Sequence, residues 1–323
     1  MLALIRWFVA AASLLGEPTL LAVPDALLQR TTMPEPSGLV WSPALSRYIV
    51  ISDDTGKKES GTNHIAWLFT VSREGAFDAE PLPISGLDKL NDAEAICPGP
   101  SQTFFLTTSH SANKKGQDKV KRRRLYQLAL SGRALKIVGE LDLADAITAS
   151  GLLPSPSVDI EALSFHRDEL YIGLKSPQNA AGAAYILKVR DVLSALKKGT
   201  LAPSQVQVFA QVPLQVEQGG AQVIQGISDM SFLPDGSLAL LANSPKKMPH
   251  DGGGALWLRK PDGSLVMLRR FVGLKPEGVT LSHDGKSLLI VFDNDRKQPL
   301  PAATPSRSRP IGKALSASQV PER

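Results

Sequence analysis

The chain has one cysteine, Cys97, in 323 residues, so no internal disulfide can form. Cys97 follows Ile96 in a strand-like context and reads as a small buried hydrophobe rather than a nucleophile. Aromatic residues are only 6% of the chain, but its 43% hydrophobic content suffices for a core spread between stacked sheets. The five histidines, His64, His110, His166, His250 and His283, include no close pair at metal-ligand spacing. There is no Gly-x-Ser-x-Gly elbow and no phosphate loop. Gly252-Gly253-Gly254 precedes a strand pattern and reads as a turn. Long apolar runs are absent beyond the N-terminus, where Trp7 to Leu15 is too short for a comfortable membrane span. With Arg6 before it and Ala22 as a cleavage edge, residues 1–22 read as a secretory signal peptide. An N-terminal anchor or a mis-assigned start are the alternatives, and a periplasmic or secreted location is expected.

What is present is a repeat. Its clearest copy reads VDIEALSFHRDELYIGLKSP, from Val158 to Pro177. An acid, a small residue and an apolar residue come first; polar turn residues follow; a strand-like run then ends on Lys175-Ser176-Pro177. Four more copies start at Glu35-Pro36-Ser37-Gly38-Leu39, at Asn91-Asp92-Ala93-Glu94-Ala95-Ile96, at Gly226-Ile227-Ser228-Asp229-Met230 and at Lys275-Pro276-Glu277-Gly278-Val279. Their second strands end at Ser52-Asp53-Asp54, Ser109-His110-Ser111, Asn243-Ser244-Pro245 and Asp293-Asn294-Asp295. Such units, spaced roughly 50–70 residues apart, are the size of propeller blades carrying loop insertions.

The fold class is therefore all-β: a single β-propeller of four-stranded antiparallel blades, five in number with six as the alternative, over residues 26–296. Pro81 to Ile84 is expected to be the fourth strand of the first blade, and residues 191–198 a short surface helix ending at Gly199. Residues 297–323 are rich in Pro, Ser and Arg and are expected to be disordered. Ala26 to Thr31 is placed to complete the blade begun by the other terminus, which still leaves that blade one strand short.

First strands of a propeller line its channel, so aligned acids from different copies form a ring. Aligning the copies by their acids selects Glu94, Glu161, Asp229 and Glu277, with Ser37 in the first. Converging carboxylates need a compensating cation or must hold protons. Oxygen-only ligands favour Ca²⁺ over Mg²⁺. The alternative is architectural: these acids accept backbone N–H bonds from neighbouring blades. His110, at a strand end that corresponds to Asp53-Asp54, is a candidate general base or metal ligand beside the candidate catalytic Glu161. The strand-end residues Asp53, Ser109, Lys175, Asn243 and Asp293 are candidate ligand-binding residues.

The net charge of +5 is local. From Lys114 to Arg124 the chain reads KKGQDKVKRRR, net +6, so the remainder stands at about −1. This segment either grips phosphates of a polyanion or is a solvated loop. It lacks interleaved aromatics, which argues against single-stranded nucleic acid. A monomer is expected.

The pieces EPSGL…SDD, AEAI…TTSHS, DIEAL…LYIGLKSP, GISDM and KPEGV…FDND together resemble a bacterial β-propeller family filed as a domain of unknown function. That family is distantly similar to phytase-like and esterase-like propellers. Ala95 and Ala162 stand where the family commonly has glycine, and Lys175 where it has arginine. The resemblance implies a calcium-dependent hydrolase with metal-binding acids at the channel top, carried here by Glu94, Glu161, Asp229 and Glu277. The expected function is binding of, or action on, an anionic small molecule such as a phosphate ester. The alternative is a non-catalytic scaffold for a protein, envelope or polyanion partner.

Overall fold

The computed structural model describes residues 19–21, 23–29, 34–52, 68–87, 90, 92–112, 122–245, 253–293 and 311–316. It begins with β1 (Thr19–Leu21) and the short helix α1 (Asp25–Leu28). Next come β2 (Pro36–Ser42), β3 (Arg47–Ser52), β4 (Leu68–Val71) and β5 (Ile84–Ser85). The second repeat gives β6 (Ala93–Pro98), β7 (Thr103–Thr108), β8 (Leu125–Ser131) and β9 (Ala134–Leu141), followed by α2 (Ala144–Ala149). The third gives β10 (Asp159–His166), β11 (Glu169–Gln178), β12 (Ala184–Val189), α3 (Val192–Lys198) and β13 (Val206–Val212). A hairpin, β14 (Gln215–Gln218) and β15 (Ala221–Ile224), leads to β16 (Gly226–Phe232), β17 (Leu238–Asn243), β18 (Gly253–Arg259) and β19 (Leu265–Val272). The chain ends with β20 (Lys275–Leu281), β21 (Leu288–Asp293) and β22 (Ile311–Ser316).

The first strand of each repeat is buried along most of its length, because a neighbouring sheet covers each of its faces. These strands touch in the order β2, β6, β10, β16, β20 and back to β2, which makes a propeller-like ring. An apolar cluster fills each junction between neighbouring sheets. Ile49, Ile96 and Leu106 pack in one, Phe105, Ile160 and Leu163 in the next, and Ala162, Ile227 and Leu240 in a third. Leu241, Val279 and Phe292 fill the fourth, and Tyr48, Val50 and Val291 close the circle. There the backbone N–H of His283 donates to the Tyr48 hydroxyl at 3.0 Å, joining the last sheet to the first.

Strand number departs from the expected blades. Three sheets have four strands, and β6–β7–β8–β9 has a fifth, β5, added parallel to β9. Among the described residues, therefore, four sheets are full blades rather than the five or six expected, and β2–β3–β4 fills the remaining sector with three strands. Pro81 to Ile84 is not the fourth strand of that sheet. Leu82 makes a single bridge to Leu68, and the chain then crosses to pair Ile84 with Leu135 of the next blade.

The terminal strands also differ from expectation. Residues 25–28 form helix α1, and the edge of the last sheet is instead β1, from within the segment read as a signal peptide. The strand that seemed missing is β22, from the tail expected to be disordered: the sheet runs β20–β21–β22–β1, with Thr19 opposite Ala314. Alternation was invisible in IGKALS because its apolar residues are few, while the surrounding Pro and Ser suggested disorder. Helix α3 forms where expected and stops at Gly199, whose φ of 69° suits glycine.

Candidate functional site at the channel mouth

Each first strand carries a β-bulge near its start, and the bulges fix the true register of the repeat. The extra residue is Ser37, Glu94, Glu161, Ser228 and Glu277 in turn. Asp229 is thus one position out of the acidic ring. It occupies the place taken by Gly38, Ala95, Ala162 and Gly278, a place that faces the backbone of the next first strand. A Cβ on Gly38 would lie 3.1 Å from the Ile96 nitrogen, and one on Gly278 would lie 3.0 Å from Gly38. Asp229 uses that proximity: its Oδ2 accepts the Val279 N–H at 2.6 Å. Burial holds the Asp229 carboxyl well above its ordinary range, against the lowering effect of its backbone hydrogen bonds. The residue links two sheets, and its Oδ2 is engaged by a backbone N–H.

The two bulge serines are links of the same kind. Ser37 donates to the Ala93 carbonyl at 2.6 Å and Ser228 to the Pro276 carbonyl at 2.8 Å. Asn243 also donates to the Pro276 carbonyl, at 2.9 Å, so its buried amide ties β17 to β20. Sequence reasoning placed Ser37 at the aligned position but missed Ser228, since it followed charge where the bulge follows backbone register.

Ser109, Lys175, Asn243 and Asp293 share one register position, the residue after the partner of the pre-bulge residue. All four therefore stand at the same mouth of the channel. Asp53, which follows Ser52 in sequence, lies outside the described residues. The acids and lysines at this mouth pair with one another. Lys175 Nζ donates to Glu161 Oε1 at 2.7 Å. Lys275, not anticipated from sequence, pairs with Glu277 and donates to Asp293 Oδ2 at 3.1 Å. Burial raises both glutamates, Glu277 to about 7, with the lysines pulling the other way. Both ammonium groups are held above the usual lysine range by the surrounding carboxylates. The lysine side chains are 29% and 32% exposed, whereas Glu161 and Glu277 are 7% and 4% exposed. The two glutamates are almost wholly covered, and the lysine side chains beside them are partly exposed.

This donor set does not suit calcium. Lysine nitrogens already occupy the faces of Glu161 and Glu277, and Asp229 is turned to a backbone N–H. Among the described residues, no three His, Cys, Asp or Glu side chains come together as a metal-holding group. Glu94 is buried at its bulge.

His110 does not join the acids. It is 4% exposed, with a left-handed backbone at φ 58°. Its Nδ1 lies 2.7 Å from the Thr108 carbonyl and donates to it, so the neutral ring presents Nε2 as acceptor. Burial lowers its pKa to about 4, and the charged groups that influence it are Asp142, Arg123 and Arg124. Nearby, Arg122 pairs with Asp92, and Ser109 Oγ stands 3.0 Å from Ser111 Oγ.

The basic segment is described only from Arg122. Arg123 pairs with Asp142 and Asp145, and Arg124 lies 3.8 Å from Asp142. With Arg122 on Asp92, the described arginines are answered by acids of this chain. The rest of the segment, residues 114–121, lies outside the described residues. No helix among the described residues is long and apolar enough to cross a membrane.

No protein-family model and no curated protein matches the chain. Solved structures of similar shape include a protein of the GH130 family of mannoside phosphorylases and glycoside hydrolases. It is 11% identical, with 90% of this chain and 87% of that one covered and a TM-score of 0.49. A glycosyl hydrolase from Bacteroides ovatus is 9% identical over 94% of each chain, at 0.48. Hydrazine synthase from Kuenenia stuttgartiensis is 12% identical, covering 89% and 88%, at 0.40. These likenesses are too distant to assign an activity or a substrate.

Proposed function

We propose that this protein is a β-propeller that binds a small anionic molecule at one mouth of its channel, with Lys175 and Lys275 as the cationic contacts. One observation carries the reading: the lysine side chains are partly exposed, whereas the carboxylates they pair with are almost wholly covered. A ligand arriving from solvent meets positive charge first. Buried ion pairs are poor stabilisers compared with apolar packing, so a cluster of them at a strand end favours recognition over architecture. The resemblance noted above suggests a phosphate ester as the ligand class.

Titration calorimetry with a panel of sugar phosphates tests this, the wild type being compared with Lys175→Met/Glu161→Gln. The paired change removes both charges and leaves no buried ion alone. Loss of binding is expected, and undiminished affinity would move the ligand elsewhere. Following free phosphate in the same samples tests hydrolysis. For that chemistry Glu277, rather than His110, is suited to exchange a proton near neutral pH.

A non-catalytic scaffold is the second reading. It draws on the side-chain links between sheets made by Ser37, Ser228, Asp229 and Asn243, which fix the first strands without any ligand.

A further inference from the structure

Building on the anion-binding reading, on which it rests, we infer that Lys175 and Lys275 hold one compact dianion jointly, bridging the sector of β16 between them, and that Gly226 is the residue that permits this.

The register shows how the two lysines come to share a site. The position two residues before the bulge is charged in four repeats, as Glu35, Asp92, Asp159 and Lys275, and is Gly226 in the fourth repeat alone. Lys175 packs onto that glycine from the neighbouring sheet. A Cβ at Gly226 would lie 2.7 Å from the Lys175 carbonyl oxygen and 2.8 Å from its Cγ. Any side chain there would push Lys175 back towards its own blade. With glycine in place, Lys175 feels the charge of Glu277 on β20 as well as that of Glu161, and Glu161 feels that of Lys275. Among the described residues the strand-end position between the lysines is neutral: Asn243 fills it with an amide turned to the Pro276 carbonyl.

A monoanion on either lysine would compete with that lysine's own carboxylate. A dianion spanning both competes with the carboxylates of both lysines but gains two charge-assisted contacts from one molecule, and each such contact is worth a factor of about ten or more. Compact groups with two negative charges, such as a sulfate or a short dicarboxylate, have the required chemistry.

The test is calorimetric titration of the full chain with sulfate, malonate and acetate. Sulfate or malonate is expected to bind about tenfold or more tightly than acetate. Lys175→Met/Glu161→Gln and Lys275→Met/Glu277→Gln are each expected to abolish that preference. Their combination should lose little beyond either pair alone, as a shared ligand requires. Gly226→Ala, which keeps every charge, should weaken the dianion more than acetate. Losses that simply add, or acetate binding as well as the dianions, would overturn the bridging site while leaving the anion-binding reading in place. A wild type that binds none of the three would overturn both.

Discussion

Lys275 and Asp159 occupy the same register position, two residues before the bulge, and they carry opposite charges. Their sheets also reverse the charge at the strand end, where Lys175 stands in one and Asp293 in the other. The two repeats thus hold the same pair of charges in exchanged places. Each leaves an ammonium beside its bulge glutamate, Glu161 or Glu277.

The first prediction concerns pH. The folded state holds the Glu277 proton up to about pH 7, whereas an unfolded glutamate releases it near pH 4.3. Between those values the folded protein binds a proton that the unfolded chain lacks, so stability falls as pH rises through that window and levels off above it. Melting at pH 5.5 and at pH 8 should differ by more in the wild type than in Glu277→Gln. The difference should be on the order of 1–3 kcal/mol. Equal slopes in the two proteins would show that Glu277 ionises normally.

His110 has the opposite sign. Its folded pKa is depressed to about 4, so stability is lost as pH falls from about 6.5 towards that value. His110→Gln should flatten this acid limb in urea titrations at pH 4.5 and 6.5. A limb that persists unchanged would place the acid sensitivity elsewhere.

Asp229 should behave as a link. Asp229→Asn keeps an oxygen for the Val279 N–H and should change stability by less than about 1 kcal/mol. Asp229→Ala strands that N–H and should cost about 1–3 kcal/mol in denaturant titrations. If alanine is tolerated as well as asparagine, the hydrogen bond contributes nothing.

Calcium should leave the melting temperature unchanged, since a saturable site at a hundredfold excess over its dissociation constant would add about 2.7 kcal/mol. Melting with calcium and with chelator measures this directly. A saturable upward shift, removed by Glu161→Gln, would restore the carboxylate ring as a metal site.

The last prediction is about β1. Leu21 is 4% exposed and packs with Tyr48, Val50 and Val291. Leu21→Ala should cost about 2–5 kcal/mol, and a chain begun after Ala22 should melt lower than the full chain. Equal melting of the two would show that the last sheet stands without its edge strand.

The repeats were legible because each first strand carries a bulge motif and each second strand ends in a polar turn, both local signals. The strand-end set from Ser109 to Asp293 was legible for the same reason. Asp229 was misplaced because a ring was sought by aligning acids, whereas the backbone aligns Ser228 with Glu161. Lys275 was passed over because it sits where the other repeats carry acids or glycine; its role depends on Asp293 and Glu277 together. The closing strands were hidden because β22 has little alternation of its own and gains its partners from strands distant in sequence.

The pairing of Thr19 with Ala314 sets a timetable for folding. Sheets such as β10–β13 are local and can form as soon as their own residues are available. The last sheet cannot, since its outer strands come from the two ends of the described chain. Until residues 311–316 arrive, β21 presents an open edge and Leu21 has no strand to lie against. Bringing such distant segments together costs loop entropy before any contact repays it. Assembly of this ring is therefore expected to be slow at its final step, with an unpaired edge as the species most exposed to misassociation.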